Sequence, residues 1–185
     1  MQCRFLLGLV TLWIPLAGLA QDAIGYWYLN PYLGGITPDK PWHATGAAVV
    51  YGVDIGTQVT PAWSAELDLE GATLRDRDDG KRSSLYESAL DLLRTFNYGA
   101  HFAPYLSLGA GVTHFEPSPS AGLERRTEFM LQPGAGALIR LWGRSGGVRT
   151  LALRPAIEAR WTHGWAHAPG NPVDPVYTLG LSLTL

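Results

Sequence analysis

The ten residues Val176 to Leu185 alternate without a slip. Tyr177, Leu179, Leu181, Leu183 and Leu185 fall on one face, and Val176, Thr178, Gly180, Ser182 and Thr184 on the other. A period of two predicts a strand, because successive side chains project to opposite faces. One face is wide and apolar, and the other is small or polar and carries no charge. A water-soluble sheet would turn a charged face outward. The pattern instead predicts a barrel strand with lipid outside and a filled lumen inside.

The same alternation recurs upstream and predicts eight strands. The first covers 26–37, with Trp27, Leu29, Pro31 and Leu33 on one face and Tyr28, Asn30, Tyr32 and Gly34 on the other. The second covers 46–57, with Ala47, Val49, Tyr51, Val53 and Ile55 facing lipid and Gly52, Asp54 and Gly56 facing in. The third covers 63–74. Its Glu66, Asp68 and Glu70 share a face, which must be the lumen because three acids on one strand cannot face lipid.

The fourth stretch, 84–96, is locally ambiguous. Ser84-x-x-Glu87 resembles a capping box, and Leu85, Ala89, Leu92, Leu93 and Phe96 suit one helix face. A strand is expected nonetheless, because its neighbours need a partner and only closure hides sheet edges in lipid. As a strand it places Glu87, Ala89, Asp91 and Leu93 inside. The remaining strands are expected at 104–114, 127–141, 151–163 and 176–185. Ser107, Gly109, Gly111, Thr113, Gln132, Gly134, Gly136, Arg140, Arg154, Glu158 and Arg160 face in. The connections 38–45, 75–84, 115–126 and 164–174 are mostly longer than 58–62, 97–103 and 142–150. Long and short alternate, as when one set lies outside the cell and the other in the periplasm.

Composition fits this reading. The chain has 185 residues with 22 Gly, 7 Trp and 8 Tyr, and 16% are charged, against about 25% in ordinary soluble domains. Residues 1–20 read as a secretory signal: Arg4 is the positive start, Phe5 to Leu19 the apolar run, and Gly18-Leu-Ala20 the cleavage site. Residues 21–185 then form one barrel domain. The only cysteine, Cys3, falls inside the signal, which excludes disulfides and thiolate chemistry from the mature chain. Losing Arg4 moves the net charge from −2 to −3, so there is no nucleic-acid signature.

Leu90-Asp-Leu-Leu-Arg-Thr-Phe96, Phe102-Ala-Pro-Tyr-Leu106 and Gly109-Ala-Gly111 carry a resemblance to the centre of the OmpA-type outer-membrane β-barrel family. Trp27-Tyr28 and Gly134-Ala-Gly136 followed by Arg140 are similar too. The last strand resembles the family's assembly signal through Thr178, Gly180, Leu183 and Leu185, although the family usually ends on an aromatic residue. The resemblance implies a free-standing, monomeric, eight-stranded antiparallel transmembrane barrel in the outer membrane. It also implies contact with outer-membrane lipid and lipopolysaccharide, and with the barrel-assembly machinery during biogenesis. The peptidoglycan-binding domain of larger members is not expected here, so no wall-anchoring role is implied.

Glu66, Asp68, Glu70, Asp91, Arg140, Arg154, Glu158 and Arg160 are thus expected to share a lumen only wide enough for side chains. Unpaired charge there would be costly, so pairing into a structural plug is expected. The alternative is a narrow ion or small-solute path through the same charges. A third reading is a lipid A-modifying enzyme. Barrels of that kind carry a rim Ser–His site, but here the corresponding place is His163-Gly-Trp-Ala-His167, with no serine beside the histidine to act as nucleophile. His43, His114, His163 and His167 fall near the outer rim without metal-ligand spacing beyond His163-x-x-x-His167. No enzyme, metal or cofactor is expected. The mixed-sign run Arg75 to Arg82 is expected to be a solvated tip, or to meet lipopolysaccharide phosphates or another protein.

Overall fold

The computed structural model describes residues 25–38, 46–75, 80–118, 124–143, 149–163 and 173–185. The signal-peptide reading of 1–20, His43 and His167 lie outside these residues. Eight strands run in chain order: β1 Trp27–Ile36, β2 Ala48–Thr60, β3 Trp63–Arg75, β4 Arg82–Thr95, β5 Phe102–Glu116, β6 Arg126–Trp142, β7 Leu151–His163 and β8 Val173–Thr184. Each pairs antiparallel with its neighbours, and β1 pairs with β8, closing the barrel. The described residues contain no helix.

The segment with the helix-like start is β4, paired along its length with β3 and β5. Its local capping signal loses because a helix here would leave two open sheet edges in lipid. Several strands are longer than their pattern indicated. β2 runs on to Thr60, where a register shift and the Thr60 hydroxyl tighten the turn. That hydroxyl accepts from the amides of Ala62 (3.3 Å) and Trp63 (3.1 Å). β4 and β8 start earlier than expected, at Arg82 and Val173, and β6 runs through Trp142.

Outward side chains form an apolar wall that includes Leu33, Leu90, Leu106, Leu108 and Leu179, all well exposed. Rings border it. Trp27, Phe96, Phe102 and Trp142 lie toward the end with the shorter turns, and Tyr51, Tyr86 and Tyr177 lie toward the loop end. Such a wall with aromatic borders is what a bilayer requires of a barrel exterior.

Inside, aromatic side chains are seated on glycines of the facing strand. Tyr28 and Tyr32 of β1 lie across Gly56 and Gly52 of β2, and Tyr105 of β5 lies across Gly136 of β6. A Cβ at any of these glycines would occupy the space the ring fills. The glycines on the inner face therefore make room for the tyrosines and, with them, for a hydrogen-bonded lumen.

Candidate functional site

The lumen is stacked in layers from the turn end to the loop end. At the turn end a cavity of about 100 Å³ opens among Tyr26, Tyr28, Ser64, Thr95, Tyr98 and Arg140, with Glu66 and Arg154 at its inner end. Arg140, expected to pair with lumen acids, instead donates from Nη2 to the backbone carbonyl of Gly99. The reason is its place in β6. It lies below Leu138, level with the β4–β5 turn, and its backbone amide also donates to the His101 carbonyl at 2.9 Å. Asn97 (φ 53°) and Gly99 (φ 86°) take left-handed conformations that curl this turn. Burial in the same turn pushes the Tyr98 phenol up from its ordinary value, and neighbouring Tyr26 adds to that.

The next layer is built on Arg154. Its guanidinium grips Glu66 with both forks, Nη1 to Oε1 at 2.6 Å and Nη2 to Oε2 at 2.8 Å. Nη1 lies 3.1 Å from Asp54 Oδ2, and Nε donates to the Tyr105 hydroxyl at 2.9 Å. Tyr28 donates its hydroxyl to Glu66 at 2.7 Å, and Asn30 donates its amide to Asp54 at 2.6 Å. Arg154 is on β7, Glu66 on β3 and Asp54 on β2, so the layer ties distant walls together across the barrel.

The middle layer holds acids without a cation. Asp91 accepts from Gln132 Nε2 at 2.9 and 3.0 Å, and Asp68 accepts from the same nitrogen at 3.3 Å. The Tyr32 hydroxyl lies 2.7 Å from Asp68 Oδ1 and 3.0 Å from Glu70 Oε2. Above it, Arg160 bonds Glu70 and Glu87 through Nη1, Glu70 again through Nη2 at 2.7 Å, and Glu158 at 3.2 Å. Thr113 donates to Glu87 at 2.9 Å. Arg160 is 1% exposed.

In these layers Arg154 pairs with Asp54 and Glu66, and Arg160 with Glu70, Glu87 and Glu158, while Asp68 and Asp91 hydrogen-bond neutral groups. Acid outnumbers base, so much of the oxygen is met by neutral donors. This explains the Tyr28, Tyr32, Asn30, Gln132 and Thr113 positions, which sequence reasoning did not count in the cluster. Asp54 and Glu87 were recognised as inward but likewise left out. The signal was available: each sits at the inward parity of its strand, in register with a cluster member (Asp54 with Asp68, Glu87 with Glu70).

The loop end of the lumen pairs an apolar cluster with buried polar Ser83, Thr162 and Asp174. Ile36, Val50, Ala72, Leu74, Leu85, Phe115 and Val176, from six strands, point inward and pack together, each at most 3% exposed. They cover the Arg160 layer with a hydrocarbon lid.

On the outer wall, His114 Nδ1 and the Thr127 hydroxyl hydrogen-bond at 2.8 Å across β5 and β6. Beyond them Arg125 pairs with Glu116 at 2.6 Å. Among the described residues, no group of three His, Cys, Asp or Glu side chains converges to hold a metal. Of the assembly-signal residues, Thr178 and Gly180 face the lumen, where Asn30 fills the space beside Gly180. Leu183 and Leu185 face out.

A closed, eight-stranded antiparallel barrel with an apolar exterior and a side-chain-filled lumen defines the fold as the OmpA-like outer-membrane type. No protein-family model matches the chain, and no curated protein matches it. Solved structures of the same fold do. Neisserial surface protein A is similar with a TM-score of 0.63 at 11% identity, over 86% of this chain and 97% of that one. The N-terminal β-barrel domain of Pseudomonas aeruginosa OprF gives 0.56 at 18% identity, over 87% and 99%. The outer membrane enzyme PagL gives 0.51 at 12% identity, over 85% and 99%. The fold therefore hosts both surface proteins and an enzyme.

Proposed function

We propose that this chain stands in a bacterial outer membrane as a monomeric, non-enzymatic barrel with a closed lumen, and that its working surfaces are its loops and outer wall. The observation that carries this reading is the lid of Ile36, Val50, Leu74, Leu85, Phe115 and Val176 over the Arg160 layer. An ion path needs continuous polar or wetted space, and an apolar constriction of this kind excludes water. The cavity at the turn end is thus a blind one. A buried ion network in this setting braces the wall, because each guanidinium holds carboxylates from other strands. During biogenesis, β8 with Thr178, Gly180, Leu183 and Leu185 is the segment offered to the assembly machinery.

The test is ion current through the refolded protein in a planar bilayer, with insertion confirmed by heat-dependent gel mobility. Silence is expected. Discrete conductance steps from the unaltered protein would overturn the closed-lumen reading in favour of the narrow pore.

A further inference from the structure

The Tyr32 hydroxyl has one hydrogen and two carboxyl partners. Asp68 Oδ1 lies 2.7 Å from it and Glu70 Oε2 lies 3.0 Å from it. The phenol donates its hydrogen to one of them. The other contact then joins two oxygens at hydrogen-bonding distance, and it is attractive only if the carboxyl brings a hydrogen of its own. One of the two acids is therefore neutral.

The surroundings decide which. Glu70 is held by both terminal nitrogens of Arg160, Nη1 on Oε1 and Nη2 on Oε2 at 2.7 Å. A carboxyl gripped by a guanidinium fork keeps its charge. Asp68 has neutral partners, Tyr32 and Gln132, whose Nε2 reaches Oδ2 at 3.3 Å. Among the described residues no arginine bridges Asp68, and Arg154 and Arg160 are committed to other acids. Asp54 on β2, Glu87 and Asp91 on β4 and Glu158 on β7 all place like charge near it. Gly109 of β5 and Gly180 of β8, opposite Gln132 and Tyr32, bring no charge. Asp68 is 5% exposed. Ionised, it would be a buried anion without a cation.

We infer that Asp68 holds a proton in the folded barrel at neutral pH, donating it to the Tyr32 oxygen while Tyr32 donates its own hydrogen to Glu70. The lumen is thus a proton-binding site, and the bound proton ties β3 to β1. The second oxygen of Asp68 is then a carbonyl, the acceptor that Gln132 requires. The site goes beyond the closed-lumen role proposed above and does not rest on the membrane placement.

The proton links stability to pH. An aspartate in an unfolded chain gives up its proton above about pH 4. Below that pH both states hold the proton, and its contribution is complete. Above it the folded barrel binds one proton more than the unfolded chain. Stability therefore falls as pH rises, until the folded Asp68 itself ionises. Each pH unit in that window multiplies the unfolding constant by about ten for this one proton.

The experiment uses the full mature chain refolded in detergent micelles, with urea titrations between about pH 5.5 and about pH 8. Neighbouring acids titrate as well, so Asp68→Asn supplies the reference. Its amide imitates the neutral acid, with one donor toward Tyr32 and one acceptor toward Gln132. The unfolding constant of the unaltered protein should climb about tenfold more per pH unit than that of Asp68→Asn. In the infrared, the difference between the two folded proteins should contain the C=O stretch of a protonated carboxyl, and 13C labelling of the aspartates should move it.

Equal pH slopes, or a difference spectrum without that band, would overturn the bound proton. A slope difference produced by Glu70→Gln and not by Asp68→Asn would overturn its assignment to Asp68. If Asp68→Asn does not fold, Tyr32→Phe serves instead. It removes the acceptor of the Asp68 proton and should shift the 13C-sensitive band. A band that stays in place belongs to another acid and would overturn the site.

Discussion

The two arginine layers of the lumen use the same side chain in opposite surroundings. Arg154 lies beside the turn-end cavity and bonds a carboxylate pair with help from two tyrosines and an asparagine. Arg160 lies under the apolar lid and is shared by Glu70, Glu87 and Glu158. Where water has access, a lost guanidinium is partly replaced. Where hydrocarbon covers the site, it is not. An ion pair's contribution therefore depends less on its geometry than on what would surround the partner left behind.

Arg160→Ala should break this comparison open. It strands three acids under the lid and is expected to lower unfolding stability by about 3–5 kcal/mol, measured by urea titration of gel-mobility shift in detergent. Arg154→Ala should cost less, about 2–3 kcal/mol, the range of a few charged hydrogen bonds with water as a substitute. Equal losses would mean that the cavity does not hydrate Glu66. Gly52→Ala sharpens the argument about seats: the new methyl collides with the Tyr32 ring, displaces its hydroxyl from Asp68 and Glu70, and should cost about 1–3 kcal/mol by overpacking. The smallest change is expected outside the lumen. Thr127→Val removes the His114 hydrogen bond at an exposed wall position and should shift stability by no more than about 0.5 kcal/mol.

The β4 segment shows how local and global signals divide. Ser84 and Glu87 offer a helix start, and nothing within those residues rejects it. The strand wins because closure satisfies the backbones of β3 and β5 at once. Arg140 shows the reverse limit. Its inward parity was legible, but parity does not give height, and height put it beside the Gly99 carbonyl rather than a carboxylate. The outer-rim arginines belong to the same class: Arg75 and Arg82 read as part of a loop until the register set them face to face as strand ends.

By itself the sequence determined which side chains face lipid and which face the lumen, and hence the strand count and a barrel filled with charge. Alternation is a local property, and each strand states it within a few residues. Only the tertiary structure decided which arginine serves which acids, where the glycine seats take their tyrosines, and that the loop end of the lumen is lidded with hydrocarbon. Those depend on the stagger between strands. Stagger is set by how all eight close on one another, and no single strand encodes it.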